Sequence, residues 1–323
     1  MRAFLIVILC LAVFLAGGCS HVASRPGEPE ASGEVPAPDA SRISKDYGAP
    51  VHLADLDDSA IDESSGIAAS RKYSDLFWTH NDSGDGPYIY AFDRKGGERG
   101  TWRVSGAKSR DWEDIAAGPG PQPGQPYLYV GDIGDNGRDR EEIVVYRILE
   151  PTVTGEAANW GDSEETGPAE AIRLRYPDGA HDAEALAVHP TTGDLYVITK
   201  TMSANKPSGV YKLSAPLNTA IVNTLKKVAE IRMPSIYPSM ITGADISPDG
   251  RRVILCDYLY AYELSLPETS GGEFDEIWKQ DPMIVKLGPR QQGEAVCYRL
   301  DGRAIMATSE KRPTPLIEVE SKR

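Results

Sequence analysis

Histidine and cysteine are scarce in this 323-residue chain, which contains five histidines and four cysteines. The sequence also lacks a Cys-x-x-Cys pair, a His-Glu-x-x-His motif, a Gly-x-Ser-x-Gly nucleophile elbow and a phosphate-binding loop. These absences argue against a thiol redox centre, a zinc protease of the common type, an α/β-hydrolase and a nucleotide-hydrolysing enzyme.

Clusters of basic residues are absent as well. The chain has 48 acidic and 34 basic residues, and its formal net charge is −14. Without a stripe of Lys and Arg, the surface is not suited to the phosphates of nucleic acids or to anionic lipid. We therefore expect no nucleic-acid partner, although solubility alone would also explain an acidic composition.

The first 50 residues differ in composition from the rest. Arg2 precedes an apolar stretch, 3–16, that is too short to span a bilayer and resembles an export signal covering residues 1–18. The following Leu15-Ala-Gly-Gly-Cys19 resembles a bacterial lipoprotein cleavage box, so Cys19 is the predicted lipidation site. Residues 19–50, rich in Pro, Ser and Glu, are predicted to be a disordered tether. These features indicate an exported protein anchored in the bacterial envelope; plain cleavage, with Cys19 an incidental thiol, is the alternative.

The remaining residues, 51–323, repeat one pattern five times at a spacing of about 50 residues, which is typical of a propeller. Each repeat contains three short apolar runs separated by turn residues, as expected for consecutive β-strands. The first runs begin at Glu63, Glu113, Glu184, Thr242 and Glu294. We predict an all-β fold, a single five-bladed propeller. Six blades are the alternative, if the segment 151–170 hides another blade.

The strand count also predicts how the ring closes. A fourth strand follows in the first four repeats, but the fifth repeat reaches the C-terminus without one. An unassigned strand, Val51 to Leu56, precedes the first repeat. We expect it to complete the last blade, which leaves no exposed edge.

Acidic and amide residues recur at two places in each repeat. The first strand of a blade starts at one face of the ring and the second strand returns to it, so both sets of residues should converge on one channel mouth. Crowded carboxylates must be protonated, paired or bound to a cation, and mixed Asp, Glu and Asn oxygens suit Ca²⁺. Predicted metal ligands are Glu63, Glu113, Asp132, Glu184 and Glu294, and predicted contacts to a bound molecule are Asn81, Asp82, Asp135, Asn136, Lys200, Asp257, Glu310 and Lys311.

These residues also have structural interpretations. The repeated glutamates would hold adjacent blades together by accepting backbone N–H groups. The Asp- and Gly-rich loops 80–86 and 131–137 are ordinary tight turns as readily as ligand loops. His80 and His181 are the predicted general bases near a metal-bound water. Cys256 and Cys297 would form a disulfide or remain two buried thiols.

The motifs Glu-Ser-Ser-Gly-Ile at 63, Asp-x-Glu at 111 and 182, and Gly-Glu-Ala-Val at 293 resemble the YjiK-like, SdiA-regulated propeller family. The chain is also similar to phytase-like and esterase-like propellers. The resemblance covers about residues 51–320 and implies an exported propeller of five or six blades that binds calcium. This chain departs from the family by having Ser64, Asp114, Ala185 and Ala295 where glycine is usual.

Two functions follow from these observations. We expect a lipid-anchored, monomeric binding or scaffold propeller that engages a small molecule or a protein at its acidic mouth. The alternative is a Ca²⁺-dependent hydrolase of a lactone, ester or phosphoester.

Overall fold

A computed structural model describes residues 38–154, 163–203, 206–234, 240–268 and 273–323. The predicted signal segment, Cys19 and the first part of the predicted tether lie outside the described residues. No helix in the described ranges is long and apolar enough to span a bilayer.

Short β-strands form most of the regular structure in these ranges. Two short 3-10 helices are also present, η1 (Ala40–Arg42) and η2 (Phe274–Lys279). In chain order the strands are β1 (Val51–Asp55), β2 (Ser64–Ala69), β3 (Leu76–Asn81), β4 (Tyr88–Asp93), β5 (Glu98–Arg103), β6 (Trp112–Pro119), β7 (Pro126–Asp132), β8 (Ile143–Leu149), β9 (Glu164–Glu165), β10 (Glu170–Arg175), β11 (Ala183–Val188), β12 (Leu195–Thr199), β13 (Ser208–Leu213), β14 (Val222–Thr224), β15 (Lys226–Ile231), β16 (Gly243–Ile246), β17 (Arg252–Cys256), β18 (Tyr260–Ser265), β19 (Met283–Lys286), β20 (Val296–Tyr298), β21 (Ala304–Ala307) and β22 (Pro315–Glu320).

The described strands form five sheets arranged as the blades of a propeller. Blade 1 is β2-β3-β4-β5, blade 2 is β6-β7-β8-β10, blade 3 is β11-β12-β13-β15 and blade 4 is β16-β17-β18-β19. In blade 5, β20-β21-β22 is completed by β1, which pairs antiparallel with β22. The predictions of five blades and of closure by the N-terminal strand are confirmed.

The six-blade alternative is wrong. Among the described residues, the segment 151–170 contributes only β9 and the start of β10. Strand β9 adds to the outer edge of blade 1 in parallel with β5, and β14 does the same to β10 in blade 2. Both additions cover part of an otherwise open strand edge.

The hydrophobic core lies between neighbouring blades. Because side chains alternate along a strand, Leu195 and Val197 of β12 pack against blade 2, whereas Tyr196 and Ile198 pack against blade 4. Each of the five core clusters combines residues from two adjacent blades in this way. Inner strands buried on both faces read as continuous apolar runs for this reason.

Cys256 and Cys297 are free and buried. Cys256 packs in the cluster between blades 4 and 5, and Cys297 packs between blades 5 and 1. The two thiols therefore serve different blade interfaces, and their places in the core favour the second of the two interpretations made from the sequence.

The described end of the predicted tether is ordered against the propeller. Helix η1 covers residues 40–42, and Ile43 and Tyr47 form bridges with Ile284 and Ser321. The Tyr47 side chain is buried, and its hydroxyl donates to Glu263 Oε1 at 2.5 Å. The buried ring of Tyr47 thus packs residues 43–50 against blades 4 and 5.

Candidate functional site

The first strands of blades 1 to 3 share an irregularity at the mouth of the channel. Gly66 pairs with His80, Asp114 with Gly131, and Ala185 with Ile198, and in each case the residue just before has no partner in the register. The skipped residues are Ser65, Glu113 and Glu184. A bulge of this kind re-aims one side chain, and here it places the skipped residue at the mouth.

This register differs from the alignment of repeats made from the sequence. Ser65, and not Glu63, occupies the position of Glu113 and Glu184. Glu63 lies two residues further out and is exposed, in the place held by Asp111 and Asp182. Gly66 is correspondingly the residue of blade 1 that aligns with Asp114 and Ala185.

Three polar residues occupy equivalent places where second strands end. The backbone N–H groups of Asp82, Lys200 and Glu310 donate to the carbonyl groups of Glu63, Asp182 and Gln292, at 3.0, 3.0 and 3.1 Å. All three side chains are buried. The structure therefore brings these predicted contact residues to the mouth, beside the buried glutamates of the first strands.

One side of the mouth holds three carboxylates from two blades. Asp82 of blade 1 and Asp111 and Glu113 of blade 2 each offer an oxygen within 4.8 Å of the others. Burial, followed by the charges of Glu184, Asp82 and Asp111, raises the pKa of Glu113 well above its usual range. Glu113 Oε1 is buried and has no hydrogen-bond partner among the described residues. We call these three residues the acidic triad.

The other side of the mouth contains a buried ion pair. Lys200 Nζ lies 2.6 Å from Glu184 Oε1 and donates to the Tyr258 hydroxyl at 2.8 Å. Both charged side chains are at most 5% exposed. Burial raises the pKa of Glu184 to about 8, against the opposing effect of Lys200.

A pair of carboxyl groups completes the mouth. Glu294 and Glu310 are hydrogen-bonded to each other, and burial followed by this contact raises the pKa of Glu294 well above its usual range. Burial raises the pKa of Glu310 to about 7. Ser65 donates to Glu294 Oε2 at 3.2 Å. A hydrogen bond between two carboxyl groups requires a proton on at least one of them.

Other predicted site residues have structural partners. Asp132 pairs with Arg140 at 2.8 Å, and Asp135 accepts the N–H groups of Asp139 and Arg140. These contacts support the interpretation of the 131–137 loop as a tight turn. Asp132, a predicted metal ligand, also accepts the backbone N–H groups of Arg110 and Asp111 at 3.3 and 3.2 Å, so both of its oxygens have protein donors.

Asn81 and Asp257 also stabilise turns. Asn81 Nδ2 donates to Ala60 O, and Asp257 accepts the N–H groups of Leu259 and Tyr260. Asn136 and Lys311, the remaining predicted contacts, are exposed.

The two predicted histidine bases make contacts with groups other than the mouth carboxylates. His80 is fully buried, its Nδ1 lies 2.8 Å from Asn81 O, and burial lowers its pKa. His181 is partly exposed and contacts Asp178 and the Tyr211 hydroxyl, both at 3.0 Å. Neither contact is to a carboxylate of the triad, and His80 Nε2 is buried without a hydrogen-bond partner among the described residues.

Two aspartates inside the channel were not predicted. Asp114 Oδ2 accepts the N–H groups of Leu186 and Ala244 at 2.9 and 3.1 Å, and Asp245 Oδ2 accepts that of Tyr298 at 2.8 Å. Their carboxylates thus join first strands of different blades. A signal in the sequence existed for Asp114 alone, which stands where the propeller family that the chain resembles usually has glycine.

Comparisons with known proteins do not identify the chain. No family model matches it, and no curated protein matches it. The arrangement of the mouth therefore carries the functional argument.

Proposed function

We propose that this protein is a binding propeller whose acidic channel mouth holds one divalent cation, Ca²⁺, at the triad of Asp82, Asp111 and Glu113. The observation that carries the proposal is the convergence of three carboxylate oxygens within 4.8 Å of one another. One of the contributing carboxylates, Glu113, is buried, and its Oε1 has no hydrogen-bond partner in the described part of the chain. A buried charged acceptor without a donor is costly, and a bound cation removes that cost.

The chemistry of the triad favours Ca²⁺ over other common ions. Its ligands are hard carboxylate oxygens, whereas zinc and copper sites usually include imidazole or thiolate. The two histidines predicted near this face bond to other groups, and the free thiols are buried in the core. Backbone carbonyl groups and water would supply the remaining ligands that Ca²⁺ requires.

A binding function is favoured over a Ca²⁺-dependent hydrolase. Hydrolysis requires a general base aimed at a metal-bound water. His80 is buried against Trp112 and Asn81, and His181 contacts Asp178 and Tyr211. The hydrolase remains the second hypothesis because Glu310, with a pKa raised to about 7, would serve as an acid or a base.

The cellular setting is part of the same proposal. The cleavage box at Cys19 supports export and attachment to a membrane of the bacterial envelope through lipid on that cysteine. The motifs at 63, 111, 182 and 293 support membership of the YjiK-like propellers. We propose that the anchored protein is a monomer and that its mouth engages a small molecule or a protein.

Thermal unfolding with EDTA and with added Ca²⁺ tests the proposed function. Binding to the folded state alone stabilises by about 2.7 kcal/mol at 100 times Kd, which corresponds to a rise in Tm of roughly 5–10 °C for a domain of this size. Asp111→Asn should abolish most of this rise, because the variant removes one charged ligand from the triad.

Asp139→Asn is the matched control, because Asp139 lies in the neighbouring loop and is exposed. It should retain the full response to Ca²⁺. No response in the wild type, or an undiminished response in Asp111→Asn, would contradict the proposed function.

A further inference from the structure

The five blades give the mouth five equivalent corners, and each corner is built from two neighbouring blades. A corner consists of three residues. One follows the second strand of a blade, and the other two lie at the start of the first strand of the next blade. The acidic triad of Asp82, Asp111 and Glu113 is the first corner. By the same register the others are Ile133, Asp182 and Glu184; Lys200, Met240 and Thr242; Tyr258, Gln292 and Glu294; and Glu310, Glu63 and Ser65.

The first corner alone combines three carboxylates at these positions. Lys200 introduces a positive charge at the third corner, and its side chain reaches back to Glu184 of the second. It also donates to Tyr258 of the fourth corner. One ammonium group thus links three corners around the ring.

The ammonium group lies close to two buried glutamates of the mouth. Lys200 Nζ lies 2.6 Å from Glu184 Oε1, and the charge of Glu294 also acts on it. Glu184 Oε2 is buried and has no hydrogen-bond partner among the described residues. Without the lysine, two buried carboxylates would face the same space with no positive charge between them.

We propose that Lys200 acts as a built-in cation that limits the mouth to a single Ca²⁺, held at the acidic triad. This inference rests on the proposed function, and it assigns to Lys200 the control of stoichiometry. The lysine neutralises the part of the mouth around Glu184 and Glu294, so the exchangeable ion is confined to the acidic triad.

Counting bound Ca²⁺ by equilibrium dialysis of the full chain in detergent tests this inference. We expect one ion per wild-type chain and two per Lys200→Met chain, because the substitution frees Glu184 and Glu294 for a second ion. The double variant Lys200→Met/Glu184→Gln should return to one ion, since it removes the carboxylate that the lysine neutralised.

Lys212→Met is the matched control. Lys212 is a largely buried lysine of the same blade that pairs with Asp194 at 3.0 Å and Asp275 at 3.2 Å, away from the mouth. This variant should bind one ion. If Lys200→Met unfolds in EDTA, added Ca²⁺ should restore its fold, and failure of Ca²⁺ to do so would count against the inference.

The outcomes separate the two proposals. Two ions on the wild type, or one ion on a folded Lys200→Met chain, would overturn the role of Lys200 and leave Ca²⁺ binding at the acidic triad standing. No ion on the wild type would overturn both.

Discussion

At the scale of single residues, the mouth concentrates acids whose pKa values are raised by burial. Glu113, Glu184, Glu294 and Glu310 all have raised pKa values, and burial is the largest cause in each case. Ionising such a buried acid without a nearby cation is unfavourable, because the charged carboxylate loses its hydration. The charge state of the mouth is therefore linked to both pH and ion binding.

This linkage predicts how stability depends on pH in the absence of Ca²⁺. Glu310 has a pKa of about 7 in the folded protein against a usual value of 4.5. The folded state therefore binds the proton more tightly than the unfolded state, so the stabilisation is fully present below about pH 4.5 and is lost as pH rises through 7. In EDTA, the free energy of unfolding should fall across this window, by up to about 1.4 kcal/mol per pH unit for one proton.

Glu310→Gln should flatten this dependence, as measured by urea unfolding at several pH values. Glu276→Gln, on the exposed side of η2, is the control and should follow the wild type. A Glu310→Gln profile that is parallel to the wild-type profile between pH 4.5 and 7 would contradict the account of the pair.

The sequence allowed the prediction of most mouth residues but not of their register. Repeat spacing identified Glu113, Glu184 and Glu294, because each precedes an apolar run. Ser65 was missed because the bulge adds one residue to the first strand. An alignment of short motifs does not distinguish such an added residue from a shift of the whole repeat. Asp114 was missed because its hydrogen-bond partners lie 72 and 130 residues away.

At the scale of elements, the N-terminal segment closes the ring in two places. Strand β1 completes blade 5, and Tyr47 docks further out on Glu263 of blade 4. The Glu263 carboxylate also accepts from Tyr298 and from Arg323, at 2.9 and 2.8 Å. One buried carboxylate thus binds the N-terminal segment and the last residue of the sequence.

This contact predicts a cost for removing one hydroxyl group. Tyr47→Phe leaves the ring in place but deletes a hydrogen bond to a charged, buried acceptor, and such bonds contribute about 1.5–3 kcal/mol. We expect a loss of this size in chemical denaturation. Tyr88→Phe, at a partly exposed tyrosine of blade 1, is the control, and equal effects of the two variants would argue against a specific contact.

Closure by β1 could be predicted by counting strands. The fifth repeat lacked a fourth strand, and the strand that precedes the first repeat belonged to no blade. The docking of residues 43–50 could not, because their contacts depend on the surface formed by blades 4 and 5. The composition of the segment predicts only that it is polar. The burial of Tyr47 depends on residues that are distant in the sequence, such as Glu263.

At the scale of the whole molecule, five similar blades produce a mouth that is chemically uneven. One side carries the acidic triad, and the other carries Lys200 and Tyr258. The apolar interfaces between blades are built from the alternating side chains of neighbouring strands, and the charged residues of the mouth are not part of them. The pattern therefore predicts the propeller, whereas the function depends on single substitutions at equivalent positions.

A crystal structure of the protein with a lanthanide in place of Ca²⁺ would test the central claim most directly. Anomalous scattering locates such an ion independently of the protein atoms. We predict one strong peak at the channel mouth, within bonding distance of carboxylate oxygens of Asp82, Asp111 and Glu113. A mouth without a peak, or a peak bound only by other residues, would contradict the account.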